Sequence, residues 1–127
     1  RIANVKNMGE VVAIVLQGED APPVSIFISH WEARALVMAM EEEDFPRPLS
    51  YDLLEEALER LEGEVQYLVV HSLKDNTYYG SLHIDTPEGE WILDCRPSDG
   101  MVIATRLGAP IYVAPQLFKK EIPIREA

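Results

Sequence analysis

At 127 residues and 14.3 kDa, the chain is sized for one domain that buries roughly two thirds of its unfolded surface. Its 47% hydrophobic content excludes a disordered chain, and no apolar run nears the roughly 18 residues of a membrane span. The single cysteine, Cys95, excludes an intrachain disulfide and a Cys-rich zinc site, and the net charge of −11 argues against a surface devoted to nucleic-acid phosphates. That charge is uneven. Residues 41–64 hold ten acids and two bases, a balance of −8, and the other 103 residues carry only −3. A near-neutral or locally basic site elsewhere is therefore compatible with the composition. No leader segment is visible, and a cytoplasmic home is expected.

Residues 11–16 form a short β-branched run and read as a strand. A turn-rich break over 17–23 separates them from a second strand, 24–28, its expected hairpin partner. Ser29 can cap a helix over 31–42. Trp31, Ala35, Met38 and Ala39 share one face of it, and Leu36, Val37 and Met40 widen that face, so the helix should be buried on two sides. The Asp44-Phe45-Pro46-Arg47-Pro48 segment breaks the helix, because Pro48 pushes Arg47 out of the α region. Ser50 suits the N-cap of the next helix. There Leu53, Leu54, Ala57, Leu58 and Leu61 recur with a 3.6-residue period, and Gly63 closes the element. A strand over 65–73, a Lys74-Asp75-Asn76 turn and a strand over 77–84 follow. Pro87-Glu88-Gly89 leads to a strand over 90–95, a helix from Pro97 to Leu107 stopped by Gly108, and a last strand over 111–113. The domain is expected to occupy 1–114, with 115–127 a tail or the start of a linker. Each half ends in a hairpin strand followed by an apolar helix, which admits an internal duplication at an offset of 65 residues.

Familiar nuclease signatures are missing. His30, His71 and His83 stand singly, Lys74 falls three residues after His71, and there is no Gly-rich phosphate loop. The most pointed cluster is Asp94-Cys95-Arg96-Pro97-Ser98-Asp99, which joins a strand to a helix N-terminus. Alternation puts Asp94 and Arg96 on one side of the strand end. One reading holds a phosphate on Arg96 and the helix start, with Asp94 and Asp99 binding a divalent metal such as Mg2+ or Mn2+. The other reading is structural: Ser98 or Asp99 caps the helix and Arg96 pairs with Asp94 or Asp99. Lys74 and Asp75 could reach a ligand from their turn, although Asp75 and Asn76 also suit its special backbone angles. His71 and His83 could face each other across a hairpin, but two histidines make a poor metal site. Asp52 sits where a helix dipole stabilises a carboxylate. Cys95 gains some electropositive character from Arg96. The acids over 41–44 read as a solvated helix end.

Three blocks in order resemble the bifunctional nuclease domain family. They are Phe45-Pro46-Arg47-Pro48-Leu49-Ser50-Tyr51-Asp52-Leu53-Leu54, His71-Ser72-Leu73-Lys74-Asp75-Asn76-Thr77-Tyr78-Tyr79-Gly80, and Asp94-Cys95-Arg96-Pro97-Ser98-Asp99-Gly100 followed by Gly108-Ala109-Pro110-Ile111-Tyr112-Val113. The resemblance implies a compact α+β domain that dimerises and a nuclease acting on RNA and DNA. It carries over Asp94, Arg96, Ser98 and Asp99 as the matching motif, with Asp52 and Asp75 as weaker matches. Tyr51 stands where relatives often have histidine, Gly100 where alanine is usual and Ser50 where threonine is usual.

The sequence thus predicts an α+β fold with a mixed or antiparallel sheet of about six strands and three main helices. The expected function is a divalent-metal-dependent phosphodiesterase with Asp94, Arg96, Ser98 and Asp99 as catalytic candidates. Asp94 and Asp99 are the metal candidates, and Lys74, Asp75 and Asp52 the substrate-binding candidates. The alternative is a non-catalytic homodimeric binding module in which Arg-Pro-Ser-Asp locks strand to helix and the apolar 31–40 helix serves the dimer.

Overall fold

The computed structural model describes residues 1–9, 11–19, 22–42, 46–119 and 124–126. The expected loop residues Asp44 and Phe45, the acid Glu43, and Lys120, Glu121 and Pro123 of the tail lie outside them.

The chain opens with an antiparallel meander of β1 (Ile2–Asn7), β2 (Val12–Leu16) and β3 (Val24–Ile28). Helix α1 (His30–Met40) follows, its N-cap Ser29 accepting a hydrogen bond from Glu32 N at 3.3 Å. Helix α2 (Ser50–Arg60) leads to a second meander of β4 (Glu64–Lys74), β5 (Thr77–Thr86) and β6 (Gly89–Cys95). Helix α3 (Pro97–Leu107) and the short β7 (Ile111–Val113) complete the pattern, with β7 lying parallel to β4. A 3-10 turn over Pro115–Lys119 sets Leu117 into the core, and β8 (Ile124–Glu126) pairs in parallel with both β3 and β5. The result is α+β: a three-stranded and a four-stranded group, joined by β8 into one mixed sheet of eight strands.

Both meanders end in a helix, as the sequence echo suggested, and α2 is inserted between the two units. The count exceeds the expected six through β1 and β8. In β1 the apolar residues Ile2 and Val5 are three apart, out of step with a strand's two-residue alternation, and the pairing with β2 is irregular between Ile2 and Asn4. β8 is three residues long and carries one apolar residue.

Ile14, Ile26, Leu36, Leu68, Ile84 and Met101 are almost fully buried between the sheet and the helices. Along β5, Tyr78, Gly80, Leu82 and Ile84 are buried while Tyr79, Ser81 and His83 are half-buried. Helix α3 covers the buried face. Leu68 lies so close to Gly100 that a Cβ there would come within 2.5 Å of Leu68 Cδ1. Two bulges interrupt β4. Gln66 and His71 are extra residues, because Val65 and Tyr67 oppose Ile84 and His83, and Val70 and Ser72 oppose Gly80 and Tyr79.

Four local expectations change. Leu49, not Ser50, is the N-cap of α2, and the Asp52 carboxylate takes up the Leu49 N–H at 2.7 Å. Residue Glu62, at φ 60°, makes the left-handed turn after α2, and Gly63 then donates to Leu58 O at 2.7 Å. In α1 the buried residues are Ala33, Leu36 and Ala39, and Trp31 is 82% exposed because it lies on the side away from the sheet. Finally, His83 opposes Tyr67 rather than His71, since the register set at Lys74 and Thr77 leaves His71 beside Gly80 and Tyr79.

Candidate functional site

The first turns of the three helices supply the site. Arg96 ends β6 as the N-cap of α3, and Pro97 occupies the first helical position, where its missing N–H costs nothing. Arg96 then curls back over its own helix. Its Nε donates to Asp99 Oδ2 at 2.9 Å and a terminal nitrogen donates to Asp99 Oδ1 at 3.2 Å, a bidentate pair. The other terminal nitrogen donates to Glu32 Oε1 of α1 at 2.7 Å. From α2, Tyr51 Oη donates to Asp99 Oδ1 at 3.0 Å. Burial, reinforced by the Asp99 carboxylate, pushes the Tyr51 hydroxyl up to about 12, so it is a proton donor across the neutral range. Glu32 and Asp99 lie in the first turns of α1 and α3, where the helix dipole favours a negative charge.

The arrangement is a charged chain, Tyr51–Asp99–Arg96–Glu32, that ties three helices together. The Arg96 side chain is 44% exposed, so the guanidinium meets solvent as well as its carboxylates. Two carboxylates against one guanidinium leave the cluster at about −1. Its chemistry is that of a positioned guanidinium beside two potential proton acceptors and one phenol donor.

The other sequence candidates are placed differently. Asp94 pairs in register with Ser81 on the half-open face of the sheet and is exposed. Ser98 is buried at 1% exposure beneath the start of α3. Asp52 belongs to a second cluster, in which Arg106 of α3 bridges Asp52 and Glu55 of α2. The Leu49 N–H first, and Arg106 second, hold the Asp52 carboxyl below its ordinary range. Lys74 and Asp75 lie at the β4–β5 turn, where Asp75 and Asn76 take φ of 50° and 60°. His71 Nδ1 meets Ser72 Oγ at 2.6 Å, and His83 Nδ1 lies 3.3 Å from Glu90 Oε1.

The residues do not fit a resident divalent cation as they stand. Both Asp99 oxygens accept hydrogen bonds from Arg96 or Tyr51, and Asp94 projects from a different surface. Among the described residues no three His, Cys, Asp or Glu side chains gather closely enough to hold a metal.

Glu32 and Tyr51 were not among the sequence candidates. Glu32 follows Ser29 by three residues, a capping-box spacing that already explains it locally. Tyr51 was visible only as a departure from the family's histidine.

Residues 14–124 match the bifunctional nuclease domain. The chain is 33% identical over 88 residues to an uncharacterized protein of Mycobacterium tuberculosis, covering 69% of this chain and 52% of that one. It is 29% identical over 118 residues to bifunctional nuclease 1 of Oryza sativa subsp. japonica and to a bifunctional nuclease of Oryza minuta, covering 89% of this chain and 36% of each relative. The chain thus spans about half the length of the mycobacterial relative and about a third of the plant ones. No helix among the described residues is long and apolar enough to cross a membrane. With most of its length matched to that domain, the chain belongs to the bifunctional nuclease domain family.

Proposed function

We propose that the chain is a phosphodiesterase acting on RNA and DNA, with the Tyr51–Asp99–Arg96–Glu32 cluster as its reactive site. The observation that carries this is the half-exposed Arg96 guanidinium, fixed at a helix N-terminus between two carboxylates. In this reading the phosphodiester exchanges with a carboxylate for Arg96, which steadies the charge that develops on the phosphoryl oxygens. Water attacks phosphorus, its proton passes to Asp99 or Glu32, and the ester P–O bond breaks to release the alkoxide oxygen. Tyr51 holds Asp99 in place. The plant relatives' name, bifunctional nuclease, supports the substrate class. A requirement for Mg2+ or Mn2+ belongs to the proposal as a condition to test, and no step is drawn through a metal.

A second reading is favoured by the completeness of the Arg96 pairing and by the apolar surface elsewhere. Leu53 and Leu61 of α2 and its C-terminal end, with Trp91 and Ile92 of β6, are 50–71% exposed, and β6 is an edge strand, a natural template for pairing. The chain would then be a homodimeric binding module joined through α2 and β6 rather than through α1, with the Arg96 cluster as an internal lock.

Cleavage of labelled single-stranded RNA and plasmid DNA by purified protein separates the two. The assay is run with Mg2+, Mn2+ or chelator, beside Asp99→Ala purified identically. Under the nuclease reading the parent cuts and a still-folded Asp99→Ala loses at least a hundredfold of activity. Equal cutting by both overturns the assignment. A catalytically silent parent that sediments as a dimer, with Asp99→Ala markedly less stable, establishes the module.

A further inference from the structure

Opposite the helices, β4, β5 and β7 present an aromatic surface. Tyr67 of β4 stacks on His83 of β5 with ring centroids 4.2 Å apart and planes at 20°. Tyr112 of β7 meets Tyr67 edge-on at 5.4 Å and 73°. Tyr112 is 53% exposed, while the His83 side chain beneath the stack is 12% exposed. Further along the same face the Lys74 ammonium sits 5.7 Å above the Tyr79 ring. From Tyr67 to Lys74 the strand spans on the order of 20 Å, room for several stacked bases.

The acids are unevenly spread over this half of the sheet. Residues 65–74, which include nearly all of β4, and residues 100–119, which include β7, contain no aspartate or glutamate. All 22 acids of a chain with net charge −11 lie elsewhere. On the neighbouring strand Glu90 reaches His83 and Asp94 lies beside Ser81, while Lys74 supplies a local cation. The same totals argue against duplex binding, whose affinity comes chiefly from neutralising many phosphates. Ring stacking needs no such neutralisation, but it requires a base whose π-face is free. Duplex bases are already stacked and are closed to a flat platform.

We propose that the Tyr67–His83–Tyr112 face, extended toward Lys74 and Tyr79, binds single-stranded RNA or DNA by stacking its unpaired bases. The choice of nucleic acid as occupant rests on the nuclease reading, which this surface refines to single strands.

The test is fluorescence anisotropy in chelator with labelled single-stranded RNA, single-stranded DNA and the matching duplex. Both single strands are expected to bind at least tenfold more tightly than the duplex, with a shallow dependence on salt. Tyr112→Ala is expected to weaken single-strand binding about tenfold and Tyr112→Phe to preserve it. Tyr112 is half-exposed, so neither change empties the core, and circular dichroism checks the fold. Duplex binding as tight as single-strand binding overturns the proposal. So does an affinity unchanged by Tyr112→Ala, or the absence of single-strand binding. If Tyr112→Ala instead splits a dimer without altering oligonucleotide affinity, the face belongs to a second copy and the proposal falls. The two readings fail separately. Single-strand binding without any cleavage removes the nuclease and leaves the platform, whereas cleavage with binding indifferent to Tyr112 does the reverse.

Discussion

Gly100 shows how one side chain can set the rules for its neighbour. It lies in the first turn of α3 against Leu68, which is fully buried, and a Cβ would also stand 3.1 Å from Cys95 Sγ. In an open helix, Gly→Ala gains about 1 kcal/mol. Here overpacking costs about 1–3 kcal/mol. Gly100→Ala is therefore expected to destabilise by about 1 kcal/mol net, read from the urea midpoint. In a Leu68→Val background the same change should become neutral or stabilising, and a double-mutant cycle measures that coupling. The site itself was partly legible at this scale. Arg96 and Asp99 are three apart at a helix start, a spacing at which a pair can be foreseen. Glu32 and Tyr51 arrive from 64 and 48 residues away, and only the packed helices reveal them. Asp94 lies apart from this cluster for a related reason. Alternation holds along β6, but Arg96 has already left the strand and turned over α3.

Helix α2 has the clearest periodicity in the chain and no fully buried residue. Its period was readable, but a period cannot say which surface covers the apolar stripe. Leu58 reaches the core, while Leu53 and Leu61 at either end remain 65% and 71% exposed. What holds α2 against α3 is largely polar: Tyr51 on Asp99, and Arg106 between Asp52 and Glu55. That predicts a particular acid response. The Asp52 carboxyl is held below its ordinary value of 3.8 in the folded chain, so its contribution to stability is fully present above that value. It is lost only as the pH falls further, through the folded value. Cα chemical shifts of residues 50–60 should hold steady from neutral pH to about 4 and move toward coil below it. Arg106→Met should bring α2 loosening into the neutral range and shrink that acid step, the part set by the Leu49 N–H remaining. Unchanged shifts in Arg106→Met would show that apolar contacts alone seat the helix.

Across the whole molecule, eight strands form a continuous sheet only because β8 lies between β3 and β5. Ending the chain after residue 119 should uncouple the two meanders and lower the melting temperature by several degrees. A single sharp transition at the original temperature would show that the helices suffice. The β2–β3 hairpin, the second meander and all three helices are legible, since each has strong periodicity and punctuating Gly, Pro or Ser, whereas β1 is not. The joining strand was not, because its pairing is decided by partners about 50 and 100 residues away. The same sheet carries a bias on how its length can change over evolutionary time. Gln66 and His71 are supernumerary in β4, so deleting either restores ordinary pairing and leaves Leu68 and Val70 facing inward. Deleting Val69 between them would put one part of the strand out of phase and turn an aromatic ring toward the core. Single-residue insertions and deletions among related chains should therefore collect at these two positions and spare the three residues that β7 reads.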